Sequence, residues 1–149
     1  MFRTLTLLFC TLVAASAADL IGTWKLNTGK SKYTGMPAPK EQTVTYTAKG
    51  AGWDYSAKGT SGTGEPTNAA FTYVKDGEDA KTTGFPYWDA ISIRNGSSAK
   101  SSATLKRAGK AVGTATRTIS ADGKTMTITG KVTMPDGKPA TYTAVYDKQ

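Results

Sequence analysis

The sequence has no histidine and only one cysteine among its 149 residues. Without histidine, the chain cannot form a Ser-His-Asp or Cys-His catalytic group, nor a metal site with histidine ligands. A single cysteine excludes an intrachain disulfide and a thiolate metal cluster. The strand, glycine-rich loop and helix that together bind phosphate groups are also missing from the pattern. We therefore expect neither a metal nor a cofactor.

Acidic residues are few, with 11 Asp and Glu against 19 Lys and Arg and a net charge of +8. The acidic residues fall in turns or on the polar faces of predicted strands. Acid–base catalysis without histidine needs a pair of carboxylates that face each other in a pocket, and the pattern predicts none. We expect a protein that is not an enzyme and has no catalytic residues. The lysines are scattered along the chain, which favours a role in solubility.

Large aliphatic residues are scarce as well. From Ala18 onward, Leu, Ile, Val and Phe together number only 15, and a low proportion with high net charge is typical of disordered chains. Two features favour a folded chain instead. The 3 Trp and 7 Tyr residues can each bury a large area, and the apolar residues recur with a regular period.

Residues 1–17 predict a secretory signal peptide. Arg3 supplies a basic start, residues 5–13 form a short apolar run, and residues 15–17 (Ala-Ser-Ala) fit a cleavage site. The run is shorter than the roughly 20 apolar residues of a membrane-spanning helix, although an uncleaved anchor or a buried strand is an alternative. Cleavage would leave residues 18–149 as one cysteine-free domain. We expect that domain to be secreted or periplasmic, without a membrane span or a nucleic-acid partner.

The rest of the chain alternates apolar and polar residues with the period of two of a half-buried β-strand. Threonine dominates the polar positions, which suits the exposed face of a strand. Alternating runs occupy residues 43–48, 53–58, 69–73, 91–94, 103–106, 114–119, 125–134 and 140–147.

Short connections with turn residues, such as Asp76-Gly77 and Asp122-Gly123, separate these runs. Such connections join antiparallel neighbours in a meander. We predict an all-β fold, an up-and-down antiparallel β-barrel of about eight to ten strands, because closure hides the apolar faces and removes free edges. A β-sandwich is the alternative. Residues 28–40, which contain two prolines, are predicted to form a loop.

Both ends of this domain resemble a known group of barrels. Residues 22–26 are Gly-Thr-Trp-Lys-Leu, and a Gly-x-Trp that opens the first strand resembles the signature of the lipocalins and their relatives, the calycins. The extended form, together with Thr-Ala-Val-Tyr-Asp-Lys at residues 143–148, is similar to the fatty-acid-binding branch. The chain also resembles small exported bacterial proteins of lipocalin-like type. The resemblance implies a lipocalin-like barrel in which Trp24 closes one end.

The chain departs from those families at named positions. The fatty-acid-binding branch has two short helices after its first strand, whereas Pro37 and Pro39 prevent helices there. The branch anchors its ligand with an Arg-x-Tyr pair, and this chain has Ala144 and Tyr146 at those positions. The lipocalins pack an arginine against the conserved tryptophan of the motif, and Lys148 is the candidate for that role here.

The alternation of inward and outward residues along each strand, here called strand parity, places a set of aromatic residues and one arginine on the inward face. Arg117 shares its face with Ala115 and Ile119, and a charge inside a barrel is costly unless it is paired. It could bind a ligand anion, form a structural ion pair, or reach water at the rim. The rings could line a pocket or simply fill the barrel. The candidate ligand-binding residues are Trp53, Tyr55, Phe71, Tyr73, Arg117, Tyr142 and Tyr146.

Two further segments each have two interpretations. Residues 85–89 (Phe-Pro-Tyr-Trp-Asp) form an aromatic loop that is predicted either to stack on a ligand at the rim or to pack over the barrel end. Asn95, Gly96 and Ser97 have the form of a glycosylation site, but the same residues suit a hairpin turn, which we favour.

The sequence thus supports two functional hypotheses. The first is a non-catalytic carrier that binds a small hydrophobic or amphipathic ligand inside the barrel. The alternative is a structural or surface-interaction protein with a filled barrel, which binds a cell-wall or extracellular polyanion or polysaccharide. The volume of the barrel interior and the direction of Arg117 discriminate between them. The oligomeric state stays open.

Overall fold

The computed structural model describes residues 19–149, which form eleven β-strands. The predicted signal peptide, residues 1–17, lies outside the described residues and stays a prediction. Residues 19–149 contain no helix that is long and apolar enough to cross a membrane. The strands are β1 (Gly22–Leu26), β2 (Lys32–Thr34), β3 (Glu41–Lys49), β4 (Gly52–Thr60), β5 (Pro66–Tyr73), β6 (Asp79–Lys81), β7 (Ala90–Asn95), β8 (Lys100–Arg107), β9 (Lys110–Ile119), β10 (Thr125–Thr133) and β11 (Pro139–Lys148).

The strands form one antiparallel sheet in the order β5-β4-β3-β1-β11-β10-β9-β8-β7-β6. The two edges of the sheet meet between Ala70 of β5 and Thr83, which lies two residues beyond β6. The Ala70 amide donates to the Thr83 carbonyl at 3.0 Å, and the Thr83 amide donates to the Ala70 carbonyl at 2.9 Å. This bridge joins the two edges into a nearly closed barrel of ten strands. The predicted up-and-down barrel is confirmed, and the sandwich is excluded.

Strand β4 shows why this sequence curls into a barrel. Trp53, Tyr55 and Ala57 are buried, while Asp54 and Lys58 between and beyond them point the other way. Each strand therefore carries one apolar face, and those faces can leave water only by turning toward a common interior.

The segment after β1 differs from its prediction. Residues 28–40 were expected to form a loop, but they contain β2, which pairs with β11 beside β1. Strand β1 covers only part of the longer β11, so β2 continues the pairing along its edge. The Ser31 hydroxyl fixes the kink between β1 and β2: it donates to the Asn27 carbonyl at 2.7 Å and accepts from the Val145 amide at 2.9 Å.

Trp24 closes one end of the barrel, here named the closed end. Its side chain is completely buried, and its Nε1 donates to the Leu20 carbonyl at 3.0 Å. The Nζ atom of Lys148 lies 4.5 Å from the centroid of the Trp24 ring, a cation–π contact. Lys148 thus occupies the place that the resemblance assigned to a packed arginine.

Lys148 also ties the start of the described chain to its end. Its Nζ donates to the carbonyls of Asp19 at 2.9 Å and Ile21 at 2.6 Å. Gly22 has a φ of 128°, a conformation that L side chains rarely adopt. A Cβ at Gly22 would also press on the Lys148 side chain. The Gly-x-Trp motif therefore has a packing reason in this barrel.

Candidate functional site

The barrel interior contains a cavity of about 770 Å³. Its lining reaches residues of three loops, 35–40, 61–65 and 82–89, which lie at the opposite end from Trp24 and are here named the mouth. The interior is therefore open, and the filled barrel of the alternative hypothesis does not describe this structure.

Strands β4 and β5 supply an aromatic wall. Tyr55 and Phe71 are cross-strand partners, and their rings stack with centroids 4.7 Å apart. Trp53 contacts Phe71 edge-on at 5.7 Å. Ala57 and Ala69 follow on the same two strands toward the mouth, and their small side chains leave the space that the rings do not fill. All three rings were predicted from strand parity, and all three line the cavity.

Tyr73 is the exception among the predicted residues, because the structure places it outside the cavity lining. Its ring stacks on Trp53 with centroids 4.9 Å apart. Its hydroxyl donates to Asp76 at 2.7 Å and accepts from Asn95 Nδ2 at 2.9 Å. Parity gave the correct face, but Tyr73 is the last residue of β5 and lies at the closed end.

Arg117 points into the barrel and lines the cavity, with only 8% of its surface exposed. Its Cζ lies 5.6 Å from the centroid of Tyr46 and 5.4 Å from that of Trp53. These two cation–π contacts partly offset the cost of burying the charge. No carboxylate of residues 19–149 forms an ion pair with Arg117, and its Nε has no hydrogen-bond partner there. Two of the three predicted roles of Arg117, a structural ion pair and a position at the rim, are therefore excluded within residues 19–149.

Asn95 positions the guanidinium and was missed as a site residue. Its Oδ1 accepts from Arg117 Nη2 at 3.4 Å, and its Nδ2 donates to Asp76 at 3.1 Å. The hydrogen bond from Tyr73 is the main reason that the pKa of Asp76 is lowered. Asp76 is therefore ionised but reaches Arg117 only through the amide. No sequence signal marked this role, because Asn95 also fits the hairpin turn that was predicted at this point. Its Nδ2, the atom that a glycan would modify, is hydrogen-bonded to Tyr73 and Asp76.

Strand β11 supplies the remaining predicted residues. The Tyr146 hydroxyl donates to Gln42 Oε1 at 2.6 Å, and both residues line the cavity. The Tyr142 ring stacks on Tyr33 of β2 at 6.3 Å with 15° between the planes. Sequence analysis missed Gln42 and Tyr33. Gln42 was missed because it is a polar residue at an inward position, where the pattern leads one to expect an apolar residue. Tyr33 was missed because its strand is too short to show alternation.

Gly130 explains where the Tyr142 hydroxyl lies. The two residues are partners across β10 and β11, and a Cβ at Gly130 would collide with the ring and hydroxyl of Tyr142. Glycine at this point of the strand therefore leaves the space in which the phenol rests.

The aromatic loop of residues 85–89 belongs to the mouth. Phe85 stacks on Trp88 at 5.0 Å and lies 5.9 Å from Tyr55, so the loop both packs over the barrel end and lines the cavity. Arg107 fixes it from the neighbouring strand by donating to the Tyr87 carbonyl at 2.8 Å.

Burial controls the protonation of the phenols in the cavity. It raises the pKa of Tyr55 and of Tyr146 well above the ordinary value, and that of Tyr33 and Tyr142 to about 12. Burial also raises the pKa of Tyr46, although the charge of Arg117 opposes this rise. At neutral pH these phenols are therefore neutral groups that can both donate and accept hydrogen bonds. Acidic, cysteine and histidine side chains of residues 19–149 form no group of three that could hold a metal ion.

The raised pKa values predict alkaline unfolding. A group whose pKa is higher in the folded than in the unfolded state stabilises the fold below its unfolded pKa, and that stability is lost as the pH rises toward the folded value. For Tyr33 and Tyr142 this window runs from pH 10.0 to about 12. We expect circular dichroism to show unfolding across it, together with tyrosinate absorbance. A Tyr142→Phe variant should unfold at higher pH, and ionisation of all phenols at pH 10.0 with the fold intact would contradict the burial.

Comparisons with known proteins support the fold alone. No protein-family model matches the chain, and no curated protein sequence matches it. The structure is similar to that of the zebrafish ileal bile acid-binding protein in complex with cholic acid. The TM-score is 0.54 at 11% identity, over 87% of this chain and 98% of that one.

This chain therefore shares the fold of that protein, an antiparallel, nearly closed β-barrel. The match covers nearly all of the solved chain, so the shared fold includes the strands that form the cavity. The lipocalin-like barrel that the two terminal motifs implied is thereby confirmed as a fold. The difference after β1 also stands, because this chain has strand β2 and the proline-containing loop in that segment and no helix among its described residues.

Proposed function

We propose that this calycin-type barrel is an exported, non-catalytic carrier that binds a small amphipathic ligand in its cavity. The volume of about 770 Å³ is within the range of pockets that bind small molecules. The lining combines apolar rings and alanines with a few polar groups, which is the composition such sites have. Export, to the outside of the cell or to the periplasm, rests on the pattern of residues 1–17.

The observation that carries the proposal is the buried guanidinium of Arg117. A buried cation without a carboxylate partner is costly, and nothing in residues 19–149 supplies that partner. A ligand carboxylate or similar anion would complete the site through charge-assisted hydrogen bonds. The apolar part of the same ligand would then lie against Trp53, Tyr55 and Phe71. The similar zebrafish protein, which is complexed with cholic acid, supports an acidic amphiphile.

Displacement of a fluorescent probe tests this function. We expect protein purified from cells that express the full chain to bind an apolar, environment-sensitive probe at one site per barrel. Stearic acid should displace the probe at lower concentration than stearyl alcohol, because only the acid pairs with Arg117. Probe binding that does not saturate, or equal displacement by the acid and the alcohol, would contradict the proposal.

A further inference from the structure

The cavity has two chemically different walls. One wall comes from β2, β3 and β11. Apart from Ala144, its lining residues carry hydroxyl or amide groups: Tyr33, Gln42, Tyr46, Tyr142 and Tyr146. This set is here named the phenol wall. The facing wall comes from β7 and β8, about half-way around the ring of ten strands. Apart from Ser101, its lining residues are aliphatic: Ile91, Ile93, Ala103 and Leu105.

Several phenols in the cavity have no protein partner. Tyr146 is satisfied by Gln42 at 2.6 Å. Among residues 19–149, hydrogen bonds of tyrosine hydroxyls involve only Tyr73 and Tyr146, so those of Tyr33, Tyr55 and Tyr142 have no partner there. These groups line the cavity, so water can satisfy them while the barrel is empty. A ligand that displaces this water must replace the lost hydrogen bonds or leave the phenols unsatisfied.

We infer that the ligand carries polar oxygen groups on one side of its body, in addition to the acidic group at Arg117, and that Tyr33 and Tyr142 select for them. This inference rests on the proposed function and adds a class of ligand to it. A saturated alkyl chain would pack well against the aliphatic wall but would leave the phenol wall unpaired. A ligand whose hydroxyl, carbonyl or ether oxygens face Tyr33 and Tyr142 would form hydrogen bonds with the phenol wall. The hydrocarbon side of the same ligand would face Ile91 and Leu105.

The fixed position of the Tyr142 ring, in addition to the presence of its hydroxyl, supports selection of a ligand with a matching polar group. Gly130 provides the space for its hydroxyl end, and any Cβ there would push the ring away. Stacking on Tyr33 holds the other side of the ring at a centroid distance of 6.3 Å. The phenol is therefore held from two sides before a ligand arrives, which lowers the entropic cost of binding.

The test compares stearic acid with a stearic acid that carries a hydroxyl near the middle of its chain. We expect the wild-type protein to bind the hydroxylated acid about tenfold more tightly, because sites with unpaired polar groups discriminate against ligands that lack the matching group. The Tyr33→Phe, Tyr142→Phe double variant should lose this preference and bind stearic acid at least as well as before. Gly130→Ala should also reduce the preference, because it displaces the Tyr142 ring while both phenol hydroxyls remain in the chain.

A matched control removes a hydroxyl from the same strand on its outward face. Thr143→Val should keep the full preference, because Thr143 is not part of the lining. Equal affinity of the wild type for the two acids would overturn the inference and leave the carrier function standing. Loss of binding of both acids would instead overturn the proposed function, and the inference with it. If the double variant does not fold, the two single Tyr→Phe variants and Gly130→Ala provide the same comparison.

Discussion

Replacing Trp24 with alanine is expected to lower the free energy of unfolding by about 3–5 kcal/mol, the usual cost of removing a large buried aromatic side chain. Trp24 is fully buried at the closed end. Its loss would leave a void in the core cluster that also contains Val44 and Met126, both fully buried. It would also remove the cation–π contact with Lys148 and leave the Leu20 carbonyl without its donor. Since whole domains are stable by only about 5–15 kcal/mol, this single change could unfold much of the protein.

Urea denaturation followed by circular dichroism measures this loss as a lower midpoint with an unchanged slope. Trp88→Ala is the matched control, because Trp88 is only partly buried and lies in a loop at the mouth. It should lose less stability than Trp24→Ala. Equal losses for the two variants would show that Trp24 is not the residue that holds the closed end together.

The second large effect concerns Arg117. We expect Arg117→Met to weaken the binding of stearic acid by about tenfold to a hundredfold, the range for losing hydrogen bonds to a charged group. The binding of stearyl alcohol should change little. Without ligand, the variant should be as stable as the wild type or more so, because replacing a buried, unpaired charge with an apolar side chain of similar size removes a desolvation penalty.

Arg94→Met is the control for the loss of one positive charge, since Arg94 is exposed on β7. It should leave the affinities for stearic acid and for stearyl alcohol unchanged. Calorimetric titration measures the dissociation constant of each variant for each of these two ligands. A different outcome would contradict the assignment: if Arg117→Met binds the acid normally and is strongly destabilised, then Arg117 serves the fold and not the ligand.

The barrel could be predicted from the sequence because strand parity is repeated many times. In β10, Met126 and Val132 are buried and Thr129 and Lys131 are exposed, and the same alternation recurs along most strands. Short turns then leave little choice but antiparallel neighbours. Parity also placed Arg117 on the inward face, because that depends on a single strand, but it left open whether the guanidinium stays inside the barrel or reaches water at the rim.

Parity does not give the position of a residue along the barrel axis, and this limited the site prediction. Tyr73 and Trp53 are cross-strand partners near the closed end, yet only Trp53 lines the cavity. The Trp53 ring stacks on that of Tyr73 and also contacts Phe71, which does line the cavity. Partners that come from distant strands were also hidden. Asn95, Gln42 and Tyr33 acquire their roles from contacts with Arg117, Tyr146 and Tyr142, and no local pattern marks them.

The central claim is that a ligand binds inside the barrel, and a pair of neighbouring substitutions on β8 tests it most directly. Ala103 lines the cavity, whereas Thr104 is the next residue along the strand and faces outward. In the titration with the apolar fluorescent probe, Ala103→Phe should abolish or strongly reduce binding, because the added ring occupies the cavity. Thr104→Phe should keep one site per barrel with unchanged affinity. Equal binding by both variants, with circular dichroism showing that both are folded, would place the probe on the outer surface and contradict the account.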